Sequence, residues 1–455
     1  MAKTNIRLNN QTVIKTFFQY LIPTLVGMML MSVNIVIDGI FVGNGVSSTA
    51  LASVNIAVPI FSVILSIALL IGVGGGALYS MALGEENVPR AREIFTMSFV
   101  FLSIVTVVIT IISYLFIEQL ALLFGANEDT LPYAVEYMRI LIIFSLFIAI
   151  ETCLSIFVRN DGNPQLAMVG LIVTAVLNIA LNYWMIFILK MGVTGAALAT
   201  VIATVVGLLV LVTHFFRKRS LLKFVRFEWQ RSDLLRINAI GFPSFLSEAG
   251  MGFFVIGYNV AMGFYIGTVG VAAFSVINYL HIFMFLAFIG IGSTIQPMIS
   301  FYYGAEAFDK IKETVKLAEK TALVLGVIFI SIGFIGANYL VSIFGIQSEA
   351  ISTLAAQGIK LFFIGYLFMG INFVYMTYFQ SIGYVKPSLL ITIFRGFVLL
   401  IFTLIILPPF MGAAGIWLAV PISEAIVMIV LILYARDGIM LKQLSVYGGN
   451  ESEDV

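Results

Sequence analysis

The chain has 455 residues and a formal net charge of +1, with 61% apolar and only 10% charged side chains. A soluble domain carries about a quarter charged residues, so this composition excludes one, and the near-neutral balance argues against a nucleic-acid or strongly acidic partner. One cysteine, Cys153, and two histidines, His214 and His281, leave no disulfide framework and argue against a Cys/His zinc site.

A helix needs ~20 mainly apolar residues to cross the hydrocarbon. Twelve such stretches follow in order, at 16–42, 50–82, 94–117, 137–158, 164–188, 194–216, 238–264, 271–303, 320–342, 356–380, 387–408 and 414–434. They are too long for barrel strands and lack apolar/polar alternation, which predicts an all-α polytopic membrane protein. The polar leader 1–15 has no small-residue processing site, so the first apolar block is expected to be a span and not a cleaved signal. With the N-terminus inside, 20 Lys and Arg fall on the inner side and only Arg139, Lys190 and Lys360 on the outer. The positive-inside rule then places both termini in the cytoplasm and makes the number of spans even. The chain is expected to be an integral protein of the cytoplasmic membrane, surrounded by lipid and monomeric.

Span one contains "VNIVIDGIFVG", Val33 to Gly43, with a carboxylate in otherwise lipid-soluble sequence. A charge at a span centre costs ~2.5–3.5 kcal/mol on insertion scales, and such residues face a protein interior or a wet cavity. Asp38 follows Asn34 by one helical turn, so both project from one face. It lies 15 residues after Pro23, about 22 Å at helical rise, in the outer half of the membrane. A carboxylate deprived of water takes a proton more readily, while one given neighbouring oxygens can hold Na⁺. The plain structural reading is a buried hydrogen bond near the end of the span.

Further along the chain, "GVGGGALYS" from Gly72 and "GFYIGTVG" from Gly263 allow close helix approach or local unwinding, and lack the strand-before-helix setting of a nucleotide loop. Glu151 lies in span four. The stretch "RKRSLLKFVRFEWQRSDLLR", Arg217 to Arg236, alternates basic and apolar residues; it reads either as a segment resting on an anionic leaflet or as a solvated tether. Glu248 in span seven follows Pro243 by only five residues, which puts it about 15 Å nearer the cytoplasm than Asp38. It can draw cations from the inner side, titrate, or merely order its helix. His281 stands alone in span eight and reads as a core histidine. Arg395 in span eleven and Glu424 in span twelve are expected to form a structural charge pair.

The chain also repeats. At an offset of about 220 residues, "FGA" at Phe124 meets "FGI" at Phe344, "MGVTGAALA" at Met191 meets "MGAAGIWLA" at Met411, and "SMALGEE" at Ser80 meets "SFYYGAE" at Ser300. Pro23 meets Pro243 and Gly72 meets Gly292; at offset 221, "AVEYMRILIIFSLF" from Ala134 overlays "AAQGIKLFFIGYLF". Two six-helix lobes of the same orientation follow, related by a pseudo-two-fold axis along the membrane normal, an arrangement that transporters use with the substrate between repeats. The expected division is an N-terminal lobe at 1–216, a cytoplasmic linker at 217–237, a C-terminal lobe at 238–441 and a polar tail at 442–455. The halves are chemically unequal: offset 220 puts Tyr258 opposite Asp38, and offset 221 puts Asn372 opposite Glu151.

Together with "VIDGIFVGNGVSSTALASVNIAVP", "RNDGNPQLAM", "LNIALNYWMIF", "GFPSFLSEAG" and "GIWLAVPISE", these features resemble the multidrug and toxic compound extrusion (MATE) transporters, in the MepA-like branch. The resemblance implies a V-shaped pair of lobes that rock between inward-open and outward-open states and exchange organic cations for H⁺ or Na⁺. Motif by motif, it places the first-span acid on Asp38 and the seventh-span acid on Glu248. It also puts the fifth-span polar cluster on Asn178 and Asn182 and a sixth-span hydroxyl on Thr200. Asn182 stands where many relatives carry aspartate, so the cluster has one carboxylate fewer, which weakens the case for Na⁺. Asn34, Glu151 and Glu248 are the further candidates for substrate or proton binding. The alternative on the same fold is a flippase or exporter of a lipid-linked or amphiphilic metabolite. Nothing calls for a cofactor, and no nucleophile–base or metal-ligand constellation suggests an enzyme.

Overall fold

The structure is a computed structural model that describes residues 11–346 and 348–436. The expected polar tail at 442–455 and both chain ends lie outside the described residues.

Long helices account for nearly all of it. The first half contains α1 (Val13–Gly45), α2 (Ser48–Gly84), α3 (Val88–Leu115), the short α4 (Ile117–Leu123), α5 (Leu131–Ile143), α6 (Ser145–Asn160), α7 (Pro164–Tyr183) and α8 (Gly192–Val212). The second contains α9 (Arg231–Tyr265), α10 (Thr268–Gly304), α11 (Phe308–Ile343), α12 (Glu349–Phe362), α13 (Tyr366–Ser381), α14 (Val385–Ile393), α15 (Leu399–Met411), α16 (Ala413–Trp417) and α17 (Ala419–Arg436). Among the described residues, ten segments are long and apolar enough to span a membrane unaided. The pair α5 and α6, bent by 53°, makes an eleventh if taken as one span, and Ala419–Leu433 is a shorter apolar helix at the place of the twelfth. The protein is thus an all-α polytopic membrane protein of two six-span lobes.

Several starts are written in the sequence. Ser47, Asn87 and Asn163 each accept a hydrogen bond from the backbone N–H three residues on, at 3.0, 3.1 and 3.3 Å, relieving donors that a helix leaves open. Other boundaries differ from the apolar blocks. Helix α11 begins at Phe308 and not near 320, because 308–320 is charged yet strongly helix-forming and extends the helix beyond its apolar stretch. Helix α9 begins at Arg231, inside the expected linker, with Asp233 in its first turn, where the helix dipole favours an acid.

The duplication reaches the backbone. Glu86 and Glu306, 220 positions apart, both adopt a left-handed φ, 60° and 54°, just past the ends of α2 and α10. In both places the next residue's N–H closes the helix end, Asn87 onto Ala82 O at 2.9 Å and Ala307 onto Tyr302 O at 2.8 Å. These two ends meet. A Cβ on Gly84 would stand 2.1 Å from Phe301 O, and one on Gly304 would stand 2.0 Å from Met81 O, so the two lobes touch backbone to backbone through equivalent residues. Helices α2 and α9 make a second such contact, where a Cβ on Gly74 would lie 1.9 Å from Ile237 O and one on Gly241 1.7 Å from Leu70 O. Small residues let spans approach where apolar burial supplies no driving force, since lipid is as apolar as leucine.

Polar groups fasten the same end of the bundle. Asn160 on α6 donates to Gln296 on α10 at 3.0 Å and accepts from Ser80 at 2.6 Å. Arg90 on α3 pairs with Asp233 on α9 at 2.5 Å. The linker is not a free tether. Leu222 is fully buried, Arg92 Nε donates to Leu221 O at 3.0 Å, and Val225 N donates to Thr96 Oγ1 at 3.1 Å. Asp161 anchors its start, Oδ2 accepting from Leu221 N at 3.0 Å and lying 2.6 Å from His214 Nε2, while Oδ1 accepts from the Tyr79 hydroxyl at 2.8 Å. We call this the linker end of the molecule.

Candidate functional site

Span one crosses from the linker end, so Asp38 stands towards the opposite end, away from the contacts that join the lobes. Helix α1 packs on α7 and turns its polar face towards it. There Asp38 Oδ1 accepts from Asn182 Nδ2 at 2.6 Å and from Asn34 Nδ2 at 3.5 Å. Asn34 Nδ2 also reaches Asn178 Oδ1 at 2.7 Å, Asn182 Nδ2 reaches the same oxygen at 3.0 Å, and Asn178 Nδ2 donates to Thr200 Oγ1 on α8 at 3.1 Å. The i, i+4 spacing of Asn34 with Asp38, and of Asn178 with Asn182, puts two polar groups from each helix into one patch. Asn178 and Asn182 are buried, while Asp38, Asn34 and Thr200 are half-buried.

The Asn178 carboxamide can serve two states of Asp38. With its oxygen towards the acid, it accepts from both neighbouring amides but brings two oxygens to within 2.7 Å, a separation that suits a shared proton. Turned over, its nitrogen donates to Asp38 Oδ1 at 2.7 Å and Oδ2 at 3.2 Å while its oxygen accepts from Thr200 at 3.1 Å, and the Asn34 and Asn182 amides, at 2.7 and 3.0 Å from that nitrogen, must turn with it. That arrangement suits the charged carboxylate. No Lys or Arg forms a salt bridge with Asp38 among the described residues, and no group of three His, Cys, Asp or Glu is placed to hold a metal ion.

Glu151 and Glu248 stand outside this network. Glu151 is buried on α6, its Oε1 without a hydrogen-bond partner among the described residues; Arg159, two turns further on, is buried with an unpartnered Nε. Glu248 is half-buried on α9. Its helix bonds to α13 nearby through Ser244 and Gln380, at 2.9 and 3.2 Å. In the second lobe Arg395 Nε and Glu424 Oε1 meet at 3.0 Å, and Asn372, the residue opposite Glu151 in the repeat, donates to Glu424 Oε2 at 2.7 Å. Tyr258, opposite Asp38, is fully buried and its hydroxyl accepts from Val420 N at 3.3 Å. His281 is a buried, bonded residue, with Nδ1 3.1 Å from the Tyr366 hydroxyl.

Two groups here escaped the sequence reading. Tyr137 on α5 lies beside Thr200 and near Asp38. The signal for it is a break in the repeat, which puts Gly358 in its place. The Asn160–Gln296 bond between lobes left no signal, because neither residue stands out in its own span.

With this geometry in place, comparison with known proteins identifies the class. The MatE family model matches the chain twice, over residues 23–184 and 243–406, and the two matches begin 220 residues apart. The chain belongs to the MatE family and is a membrane transporter. It is 27% identical over 419 residues to "Multidrug export protein MepA" of Staphylococcus saprophyticus, covering 91% of this chain and 92% of that one. The Staphylococcus aureus protein of the same name is 24% identical over 416 residues, with 91% of each covered. Among solved structures it is similar to the outward-facing conformation of a multidrug resistance MATE family transporter of the MOP superfamily. The TM-score is 0.91 at 25% identity, over 97% of this chain and 98% of the other.

Proposed function

We propose that the chain exports amphipathic organic cations across the cytoplasmic membrane in exchange for H⁺, by alternating access of its two lobes, with Asp38 as the coupling carboxylate. The observation that carries this reading is the company of Asp38: two amide donors, from Asn182 and Asn34, no fixed cation, and partial exposure. A carboxylate held in that way can exchange a proton for a cation, and occupancy by one then opposes the other. The relatives named for multidrug export support the substrate class. Donor N–H groups already turned on Asp38 leave few oxygens for Na⁺, and Asn182 withholds a second carboxylate, so the proton is the better match. Asn178, Asn182, Asn34 and Thr200 position the acid and answer its change of charge. Glu248 and Glu151 supply negative character outside that network, and Arg395 with Glu424 forms a structural pair. In this reading the linker end is cytoplasmic, the lobes are the units at 1–216 and 238–441, and the working form is a monomer. A lipid-linked cargo with a phosphate head would need several cationic groups in the central cleft, and Arg395, paired through Nε with Glu424 in the second lobe, gives that reading little support.

Vesicles loaded with ethidium and given a pH gradient or a Na⁺ gradient separately test the proposal. Efflux driven by the pH gradient and abolished in Asp38→Asn is expected. Efflux that ignores both gradients, or that survives Asp38→Asn at full rate, removes the coupling role.

A further inference from the structure

The second lobe holds a recess remote from Asp38. Its walls are mostly apolar, with Leu246, Met251, Phe254, Phe285, Met369 and Phe397 among them, and with its open mouth it encloses about 540 Å³. Arg395 and Glu424 are the charged residues lining it. Arg395 sits on the π-helical turn Phe394–Val398 between α14 and α15, an irregularity that often marks a functional position in a helix. Its side chain is 8% exposed.

How the charged pair is bonded decides what the recess can take. Glu424 is satisfied, with Oε1 held by Arg395 Nε at 3.0 Å and Oε2 by Asn372 at 2.7 Å. Arg395 is not. One face of its guanidinium lies 4.0 Å from the Phe373 ring centre, and its two terminal nitrogens have no hydrogen-bond partner among the described residues. A guanidinium carries five N–H donors in a planar fork, so four are left free to meet a group that enters the recess. The fork matches a carboxylate edge to edge. Space adjoins it: a Cβ on Gly396 would meet nothing within 4 Å, and one on Gly250 would meet only the Phe397 ring at 3.5 Å.

The geometry points to a binding site in the C-terminal lobe for a monocarboxylate with an apolar body, its two oxygens on the terminal nitrogens of Arg395 and its body against the methionine and phenylalanine walls. An organic cation fits poorly, because both Glu424 oxygens are occupied and an arriving positive charge meets a guanidinium. A doubly charged head exceeds what a single guanidinium, already paired, neutralises. This site lies beyond the cation-export reading and concerns binding alone.

The acid could come from the membrane, as a fatty acid, or from water, as an aromatic acid, and the test separates them. Full-length protein in nanodiscs is titrated with 1-naphthoate and its neutral isostere 1-naphthamide, and separately with 11-(dansylamino)undecanoate, against empty nanodiscs. At least one carboxylate should bind, and naphthoate, if it is the one, at least tenfold more tightly than the amide. Gly396→Leu, which fills the recess and leaves the charged pair untouched, should raise the dissociation constant at least tenfold. The neutral double variant Arg395→Met, Glu424→Gln should remove the preference for charge. Binding of naphthoate identifies a water-borne acid; binding of the dansyl chain alone identifies a membrane-borne one. Failure of both, equal binding of naphthoate and naphthamide, or indifference to Gly396→Leu overturns the site. Loss of ethidium efflux in vesicles bears only on the export reading, because binding is read without transport.

Discussion

A single methyl group at Gly241 should part the lobes. Its Cβ would stand 1.7 Å from Leu70 O, and a Cβ essentially never approaches within 3.0 Å of a heavy atom, so α2 and α9 must separate there by about 1.3 Å. The obstacle is backbone carbonyl and cannot rotate away. Overpacking of this kind costs about 1–3 kcal/mol, equivalent to a shift of roughly 5–150-fold against the state in which these helices touch. Spin labels at Lys218, in the segment docked on the first lobe, and Lys312, on α11 of the second, read that separation by pulsed dipolar spectroscopy, with the buried Cys153 replaced by Ala. Gly241→Ala should enlarge the population at longer distance and Gly304→Ala, 2.0 Å from Met81 O, should do the same. Gly39→Ala and Gly336→Ala, where a Cβ meets nothing within 4 Å, should leave the distribution as it was. An unchanged distribution in Gly241→Ala, with the protein folded, would refute the reasoning that backbone contact limits the approach of the lobes.

Three further outcomes follow from named contacts. Asn182→Asp replaces the amide that donates to Asp38 at 2.6 Å with a second acid, so ethidium efflux should gain dependence on a Na⁺ gradient; an unaltered ion requirement counts against the ligand argument. Arg90→Ala leaves Asp233, whose side chain is 7% exposed, without its partner at 2.5 Å. It should cost about 1–3 kcal/mol, visible as a longer distance between the same spin labels, with Asp233→Asn recovering part of the loss in a double-mutant cycle. Asp161→Leu removes the acceptor of the Leu221 N–H and the His214 ring. Hydrogen exchange over 217–226 should rise at least tenfold while α2 and α7 stay protected; equal exchange would mean that the docked segment is held by its phenylalanines alone.

Much of the fold was legible because lipid imposes so few choices. Every backbone group must be satisfied within the segment, so an apolar run of sufficient length is helical; each of the twelve runs falls on helix, though 94–117 overruns the end of α3 at Leu115 and 137–158 and 414–434 each cross a break. What apolarity could not show was structure outside the hydrocarbon: the first turns of α11, the short α4, and the linker folded onto α3 through Thr96 and Arg92. The polar network was legible for a related reason. In apolar helices the i, i+4 pairs Asn34 with Asp38 and Asn178 with Asn182 are conspicuous, and their faces turned out to meet. Tyr137 was not conspicuous, because tyrosine is common in such spans. The free end of Arg395 was hidden too, since pairing with Glu424 could be anticipated but not which of its nitrogens would be used.

The duplicated frame and its unequal chemistry belong together. At the linker end the halves keep equivalent contacts, Gly84 on Phe301 and Gly304 on Met81, beside equivalent left-handed residues. Backbone contact at a two-fold axis tolerates rotation, because moving one partner moves its equivalent alike. Away from the axis the halves diverge. The fifth span of the first lobe carries its π-turn at Trp184–Ile188, twenty residues from its start, whereas its counterpart turns at Phe394–Val398, only nine from the start at Val385. A π-turn inserts a residue and re-aims the side chains beyond it; in the first lobe it follows Asn178 and Asn182, which reach Asp38 from regular helix, whereas in the second it carries Arg395 itself against the recess. Two identical halves would present equal groups to a ligand between them and give it no preferred lobe; unequal ones let each lobe answer a different partner.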